Sequence, residues 1–459
     1  MNSRHSTASH HNLHREFNMN VTASSIATAV LSQFNKLPKK GKPTIKSNGL
    51  SEWTVLAGIV ITSNDLSSPQ CVALGTGLKC LPKIMLNHCG LAVNDSHAEV
   101  ICRRNWQRYM MTQVMDAAQG NPSILELSGQ SPIENDQSWP YQLKSGIQFH
   151  MYVSQSPCGD ASMRALDLAT LHKLDKNHSE PYNQLSKFDS SKSMNRSSKR
   201  KLSSMNQETL ASTEKQSSLE NKSTALKTEQ ISSESKVVRG RSSFTTVGKL
   251  RTKPGRADAP PTTIMSCSDK IAKWNAIGLG GALLSFLVSP VYLSSLIIGD
   301  LFDQERLYAS LVTRVMCRHS LSILQSYEDF KWAQSDNSIS ADAALSWYVG
   351  SVPEVIVQGR KQGASKKNGV WPASSCARIC KLEMGKLFMS ILHILPDKIR
   401  NAALPQGSDH SAVSYRTLKS RASAYQKAKN LLYDTGGVLE GWIQNDPSIE
   451  AFDVAIPFK

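Results

Sequence analysis

Apolar and polar residues alternate from 53 to 61 and again from 149 to 154, the two-residue period of half-buried strands. A third strand-like run covers 347–357, and Gly75-Thr76-Gly77 marks a turn after another strand. Elsewhere the period lengthens. Residues 97–117 predict a helix with Ser96 as its cap, and Pro157-Cys158 opens a second helix that runs to about 171. Residues 278–299 are 22 positions without a formal charge. Gly280, Gly281 and Pro290 interrupt them, so the pattern predicts a buried helix to about 288 and then a buried strand, not a membrane span. Beyond 300 helical patterns dominate. The last, 414–433, sets Tyr415, Lys419, Ala422, Gln426 and Lys429 along one stripe. Strands interleaved with helices make this an α/β chain, and no internal repeat is visible.

Two stretches lack such patterning. Residues 1–48 are polar and predict a disordered tail, and their histidines (His5, His10, His11, His14) fit that tail better than a metal site. No basic and then apolar leader opens the chain, so no secretory signal is expected. Residues 173–256 are rich in Ser and Lys, with 18 Lys and Arg against 8 Asp and Glu. Their net +10 is most of the chain's formal +16. The charge therefore sits mainly in an insertion, about 173–248, that is expected to stay disordered. Within it Lys199-Arg200-Lys201 suits nuclear import, phosphate contact or plain solvation. At 459 residues and 40% hydrophobic, the remainder, 49–459, is long enough for a large core. Nine cysteines without a repeating spacing exclude a secreted disulfide framework and point to a reducing intracellular compartment.

Candidate chemistry centres on Ser96-His97-Ala98-Glu99, Ser156-Pro157-Cys158-Gly159-Asp160 and Ser266-Cys267-Ser268-Asp269-Lys270. One imidazole and two thiolates are a soft donor set suited to zinc, with a fourth position left for water. Glu99 is placed to move that water's protons. H-x-E followed by P-C and a further Cys is the pattern of zinc-dependent base deaminases. Spacing alone leaves the matter open, because Cys267 follows Cys158 by 109 positions and the compact pattern is C-x-x-C. Ser96-x-x-Glu99 also reads as a capping box, and Arg103 as an i, i+4 ion-pair partner of Glu99.

The surrounding text decides it. Val55-Leu56-Ala57-Gly58-Ile59-Val60, Gly75-Thr76-Gly77-Leu78-Lys79-Cys80, Leu91-Ala92-Val93-Asn94-Asp95-Ser96-His97-Ala98-Glu99, Leu250-Arg251-Thr252-Lys253 and Met265-Ser266-Cys267-Ser268-Asp269-Lys270-Ile271-Ala272-Lys273-Trp274-Asn275 resemble the adenosine deaminases acting on RNA. The likeness runs from about residue 50 to the C-terminus and is greatest to the branch that acts on tRNA. It implies a cytidine-deaminase-like three-layer core, a mixed sheet flanked by helices, with a helical C-terminal extension. It also implies zinc on His97, Cys158 and Cys267, with Glu99 as the catalytic proton carrier.

The same resemblance implies a buried inositol hexakisphosphate beneath the zinc. Carried over residue by residue, its contacts would be Asn94, Arg103, Arg104, Lys270, Lys273 and Trp274 from the first half of the site. Lys381, Tyr415, Lys419, Tyr425, Lys429 and Trp442 would complete it, with Asp95 and Lys270 linking the ligand to the metal by hydrogen bonds. Lys273 stands where the family has Arg, Asn445 where some relatives have Lys, and Leu78 where a polar residue is common. The implied reaction is hydrolytic deamination of adenosine to inosine in tRNA, at adenosine 37 of alanine tRNA. Only about 48 residues precede the deaminase-like region, too few for a double-stranded-RNA-binding domain. No membrane association and no obligate protein partner are expected, and the location would be nucleus or cytoplasm. The rival classes are a small-molecule deaminase and a non-catalytic RNA-binding scaffold; Glu99 speaks against the second.

Overall fold

Seven consecutive buried residues, Leu56–Thr62 (β1), form the middle of the molecule. A strand buried on both faces must be covered on both sides, and that requirement fixes the layers around it. The computed structural model describes residues 21–86, 88–129, 139–163, 236–240, 246–253, 260–316, 319–405 and 413–454. These belong to one unit drawn from residues 1–170 and 236–459; a second, 171–235, lies outside the described residues. Most of the insertion expected at 173–248 therefore lies outside them too. Its last residues do not: Val237–Arg239 pairs in parallel with Leu250–Thr252.

The central sheet also contains Gln70–Thr76 (β2), Gln148–Gln155 (β3), Ser295–Asp300 (β4), Ser322–Gln325 (β5), Ala344–Tyr348 (β6), Glu354–Val357 (β7) and Arg360–Lys361 (β8). Their order is β5-β4-β3-β1-β2-β6-β7-β8. The β3-β4-β5 side is parallel and every other pairing is antiparallel, so the sheet is mixed.

One face is covered by Ala23–Lys36 (α1), whose Ile26, Ala27, Val30 and Phe34 pack on Leu56, Val60, Leu74 and Tyr152. The expectation of a disordered tail over 1–48 therefore fails for this stretch. The i, i+4, i+8 spacing of Ile26, Val30 and Phe34 is an apolar stripe. Thr22 and Ser25 also close a capping box. Phe34 is buried edge-on against Phe330, ring centroids 5.5 Å apart. Phe34→Ala is expected to cost about 3–5 kcal/mol of unfolding free energy, read by chemical denaturation. A disordered tail predicts no change.

The opposite face carries Ala98–Ala118 (α2), and behind it Cys267–Ile277 (α3), Gly281–Leu284 (α4) and Lys381–Ile394 (α6); Gln304–Leu311 (α5) packs on α3. A Cβ on Gly75 of β2 would lie 2.7 Å from Cys102 N and 2.8 Å from Ala98 O, so glycine lets the first turn of α2 sit directly on the sheet. Asp397–Ala403 (α7), Tyr415–Arg421 (α8) and Ser423–Tyr433 (α9) follow. The single helix expected at 414–433 is thus two, broken at Ala422 (ψ 65°). The uncharged stretch 278–299 gives the short helix α4 and then strand β4. Among the described residues no helix is long and apolar enough to cross a membrane.

Candidate active site and cation cluster

The segment Asp95–His97 is a short strand paired antiparallel with Leu78–Cys80, and α2 begins directly after it. His97, not Ser96, occupies the cap position, and it caps no backbone group with its side chain. Ser96 is held in the ribbon opposite Lys79 instead. Asp95 orients the histidine: its Oδ1 accepts the His97 backbone N–H at 3.1 Å and bonds Nδ1 at 2.8 Å. With the Nδ1 proton on that carboxylate, Nε2 is the nitrogen left to coordinate.

Cys158 precedes a one-turn 3₁₀ segment, Asp160–Ser162, where a longer helix was expected; residues 164–171 lie outside the described ones. Gly159 has φ +109°, and a Cβ there would fall 2.2 Å from Ser266 Oγ. Only glycine lets the two cysteine segments meet so closely. Cys267, first residue of α3, donates its backbone N–H to Cys158 Sγ at 3.4 Å. The Cys158 sulfur is also within interaction range of the Cys267 thiol and of His97. Three donors distant in sequence are therefore one cluster. Among the described residues no group of His, Cys, Asp and Glu is spaced to hold a metal ion as it stands. A thiol can bond a neighbouring thiolate, whereas two thiolates need a cation between them. The donor chemistry, one imidazole and two sulfurs, fits zinc.

Charge in the cluster is unevenly held. The Cys267 S–H, Lys253 and His97 draw Cys158 well below the usual thiol range, while burial and the Cys158 charge hold Cys267 up as its partner's donor. Burial and Lys253 oppose the imidazolium of His97, yet Asp95 and Cys158 outweigh them and raise it to about 9. Burial, and then Cys158, push the Glu99 carboxyl upward. Glu99 is 3% exposed and, with His97 and Cys158, lines a cleft of about 590 Å³. Trp53, Leu78, Lys79, Thr252, Gln334 and Ser340 line it as well. That volume suits a nucleoside.

Lys253, which the sequence reading did not single out, is 2% exposed and bonds both Asp95 oxygens, at 3.1 and 2.8 Å, and Cys267 Sγ at 3.1 Å. A buried lysine has no periodic signature; only its company reveals it. Lys270 also binds Asp95. Burial works against the Asp95 carboxylate, but Lys253, Lys270 and His97 hold it well below the usual range. Asp95→Asn should remove about 3–5 kcal/mol of stability by leaving Lys253 uncompensated, measured by urea unfolding at neutral pH. An unchanged midpoint would show that Lys253 has another partner.

Asp95 also faces the second site. Two cavities, about 300 and 200 Å³, make up that site. Asn94, Asp95, Lys270, Trp274 and Trp442 line the larger, and Tyr415, Lys419 and Tyr425 the smaller. Arg103, Arg104, Lys273 and Lys381 line both. Lys429 is half-buried on α9 within electrostatic range of Lys273 and Lys419. Arg103 stacks 5.0 Å over Trp274, and Lys273 lies 5.2 Å from the stacked rings of Tyr433 and Trp442. Burial first, then Arg103, Lys419, Lys429 and Lys270, drive the Lys273 ammonium well below its ordinary range. Glu450, unforeseen from sequence, binds Lys381 at 2.9 Å and Lys419 at 2.5 Å. Burial opposes its charge, but the two lysines pull it down to about 2. So many half-buried cations around two carboxylates suit a polyanion.

Residues 73–446 match a family model described as the adenosine-deaminase (editase) domain. The chain is similar to "tRNA-specific adenosine deaminase 1" of Drosophila melanogaster, 29% identical over 432 residues, which covers 90% of this chain and 92% of that one. The protein of the same name from Homo sapiens is 28% identical over 524 residues, covering 94% and 99%. "Double-stranded RNA-specific editase Adar" of Drosophila melanogaster is 29% identical over 301 residues, 64% of this chain but 36% of its own length.

Proposed function

The chain belongs to the adenosine-deaminase (editase) domain family and is a deaminase, and we propose that it converts adenosine to inosine in tRNA, at adenosine 37 of alanine tRNA. What carries this reading is the juxtaposition of Glu99, His97 and Cys158 on one cleft wall with Cys267 against them. The end-to-end likeness to tRNA deaminases, against a partial one to the duplex editase, favours tRNA. The mixed sheet between helices, with α6 to α9 following it, fits a cytidine-deaminase-like core with a helical extension.

His97, Cys158 and Cys267 would hold zinc, which supplies a Lewis acid that makes water acidic enough to attack near neutral pH. Every other step belongs to the chain. Glu99, whose buried carboxyl readily keeps a proton, takes one from the attacking water and delivers it to the adenine ring nitrogen. Water adds at C6, the C6–amine bond breaks, and Glu99 helps protonate the departing ammonia. Adenosine and water give inosine and ammonia. Asp95 fixes the His97 ring, and Lys253 balances the thiolate charge. The cation cluster would hold inositol hexakisphosphate as a buried structural cofactor through Arg103, Arg104, Lys270, Lys273, Lys381 and Lys419. A tRNA substrate places the work inside the cell, in nucleus or cytoplasm.

The test compares inosine formed from alanine tRNA, duplex RNA and free adenosine, with the protein as purified and after chelation and zinc return. Activity on tRNA that chelation removes and zinc restores is expected. Equal turnover of free adenosine overturns the tRNA assignment, and chelation without effect overturns zinc.

A further inference from the structure

Beyond the cleft, one edge of the sheet carries a cationic arm. The chain leaves β8 and turns back in a two-residue hairpin in which Lys367 and Val370 exchange backbone hydrogen bonds of 2.8 and 3.0 Å. Asn368 (φ +50°) and Gly369 (φ +77°) form its tip, the Asn-Gly turn that matches strand twist. Residues 360–371 contain Arg360, Lys361, Lys366 and Lys367 and no carboxylate.

These four cations have different tasks. Arg360 is buried, donates to Ser375 Oγ at 3.1 Å and stacks 4.3 Å over Trp371, so it anchors the base. Lys361 is 3.5 Å from Glu354, a carboxylate that Arg378 also engages at 3.4 Å. Lys366 and Lys367 are exposed, and among the described residues no carboxylate pairs with either. Lys366 lies 5.9 Å over the Trp371 ring with its ammonium still exposed, so two lysines without a carboxylate on a hydrogen-bonded turn are positioned for an anion from outside.

The arm is rooted beside the cleft. The Gly359 carbonyl accepts the Val93 N–H at 2.8 Å, the Asn94 carbonyl accepts the Leu81 N–H at 2.8 Å, and Pro82 lies on the cleft wall. Seven residues separate Lys361 from the tip at Asn368, a reach of at most about 20–25 Å. An RNA strand that lowers one base into the cleft must run its phosphates over the surrounding surface. We infer that the 360–371 hairpin is a phosphate-binding arm that grips the RNA backbone flanking the target nucleotide through Lys366 and Lys367. The inference rests on the tRNA reading and extends it to a surface. Val370 is the arm's one exposed large hydrophobic side chain, at 68%, too little apolar area for a protein or membrane contact.

The test measures anisotropy of labelled alanine tRNA with the full chain across a series of KCl concentrations. The double variant Lys366→Gln/Lys367→Gln is compared with Lys331→Gln/Lys398→Gln, which removes the same charge from exposed lysines elsewhere. Each lost phosphate contact lowers the salt slope by about one. The arm variant should lose about two units of slope and roughly tenfold or more in affinity, while the control changes little. An unchanged slope, or an equal fall in the control, overturns the arm while tRNA deamination stands. If the unaltered chain neither binds nor deaminates tRNA, the functional reading falls and the arm falls with it.

Discussion

Glu99→Ala is expected to lower inosine formation by at least about 10³-fold, within the range a positioned proton carrier supplies, while about one zinc per chain is retained. The carboxyl lines the cleft beside His97 and Cys158 but belongs to neither the thiol pair nor the Asp95–His97 contact. Removing it leaves the donor set whole. Cys267→Ala is the counterpart: it deletes a donor and the partner of Cys158, so zinc should be lost together with activity. Metal analysis of both variants separates proton transfer from coordination. Near-normal turnover by Glu99→Ala would sink the mechanism, and zinc loss in that variant would reassign Glu99 to the metal.

Lys273→Met combined with Lys429→Met gives opposite results in the two accounts of the cation cluster. Lys273 is half-buried among Arg103, Lys270, Lys419 and Lys429, and desolvation with that repulsion strongly disfavours its charge. Without an anion, replacing two cations by apolar chains relieves repulsion, and stability should rise. With a trapped polyphosphate the same change removes two of its partners and should cost about 3–5 kcal/mol, a large part of a domain's net stability. We expect the loss, seen as reduced soluble yield and an earlier unfolding transition. Phosphorus should also be released when the unaltered protein is unfolded. A more stable variant and no phosphorus would refute the polyphosphate reading.

How much of this was legible in the sequence depended on what each residue answers to. The three motif segments were readable because local neighbours frame them, and the structure brings them to one cleft. The sheet strands at 56–62 and 148–155 followed from the alternation read at 53–61 and 149–154, although 56–62 is buried on both faces. Helix α1 was equally written in Ile26, Val30 and Phe34, but the polar residues around them hid a four-residue stripe. Ser96 looked like a cap because capping is local, whereas its pairing with Lys79 is not. Nothing near Ala422 announces a break, since the turn there answers to α8 packing also on α6 and α7 while α9 packs also on α3. The roles of Lys253 and Glu450 were hidden for the same reason. Each is a charge whose meaning comes from partners across the fold.

The walls of the cation cluster span nearly the whole chain, from Asn94 to Glu450. A ribosome delivers them in order, at about 5–20 residues per second. His97, Cys158 and Cys267 are all out long before Lys381, Tyr415, Lys419 and Glu450, so the proposed zinc donors wait upon a half-built neighbour. A nascent chain halted near residue 380 would carry Arg103, Arg104 and Lys273 side by side with no wall to close over them. Translation pauses late in the message, or frameshifts in its final tenth, should therefore harm this protein as severely as a lesion at the proposed metal ligands themselves.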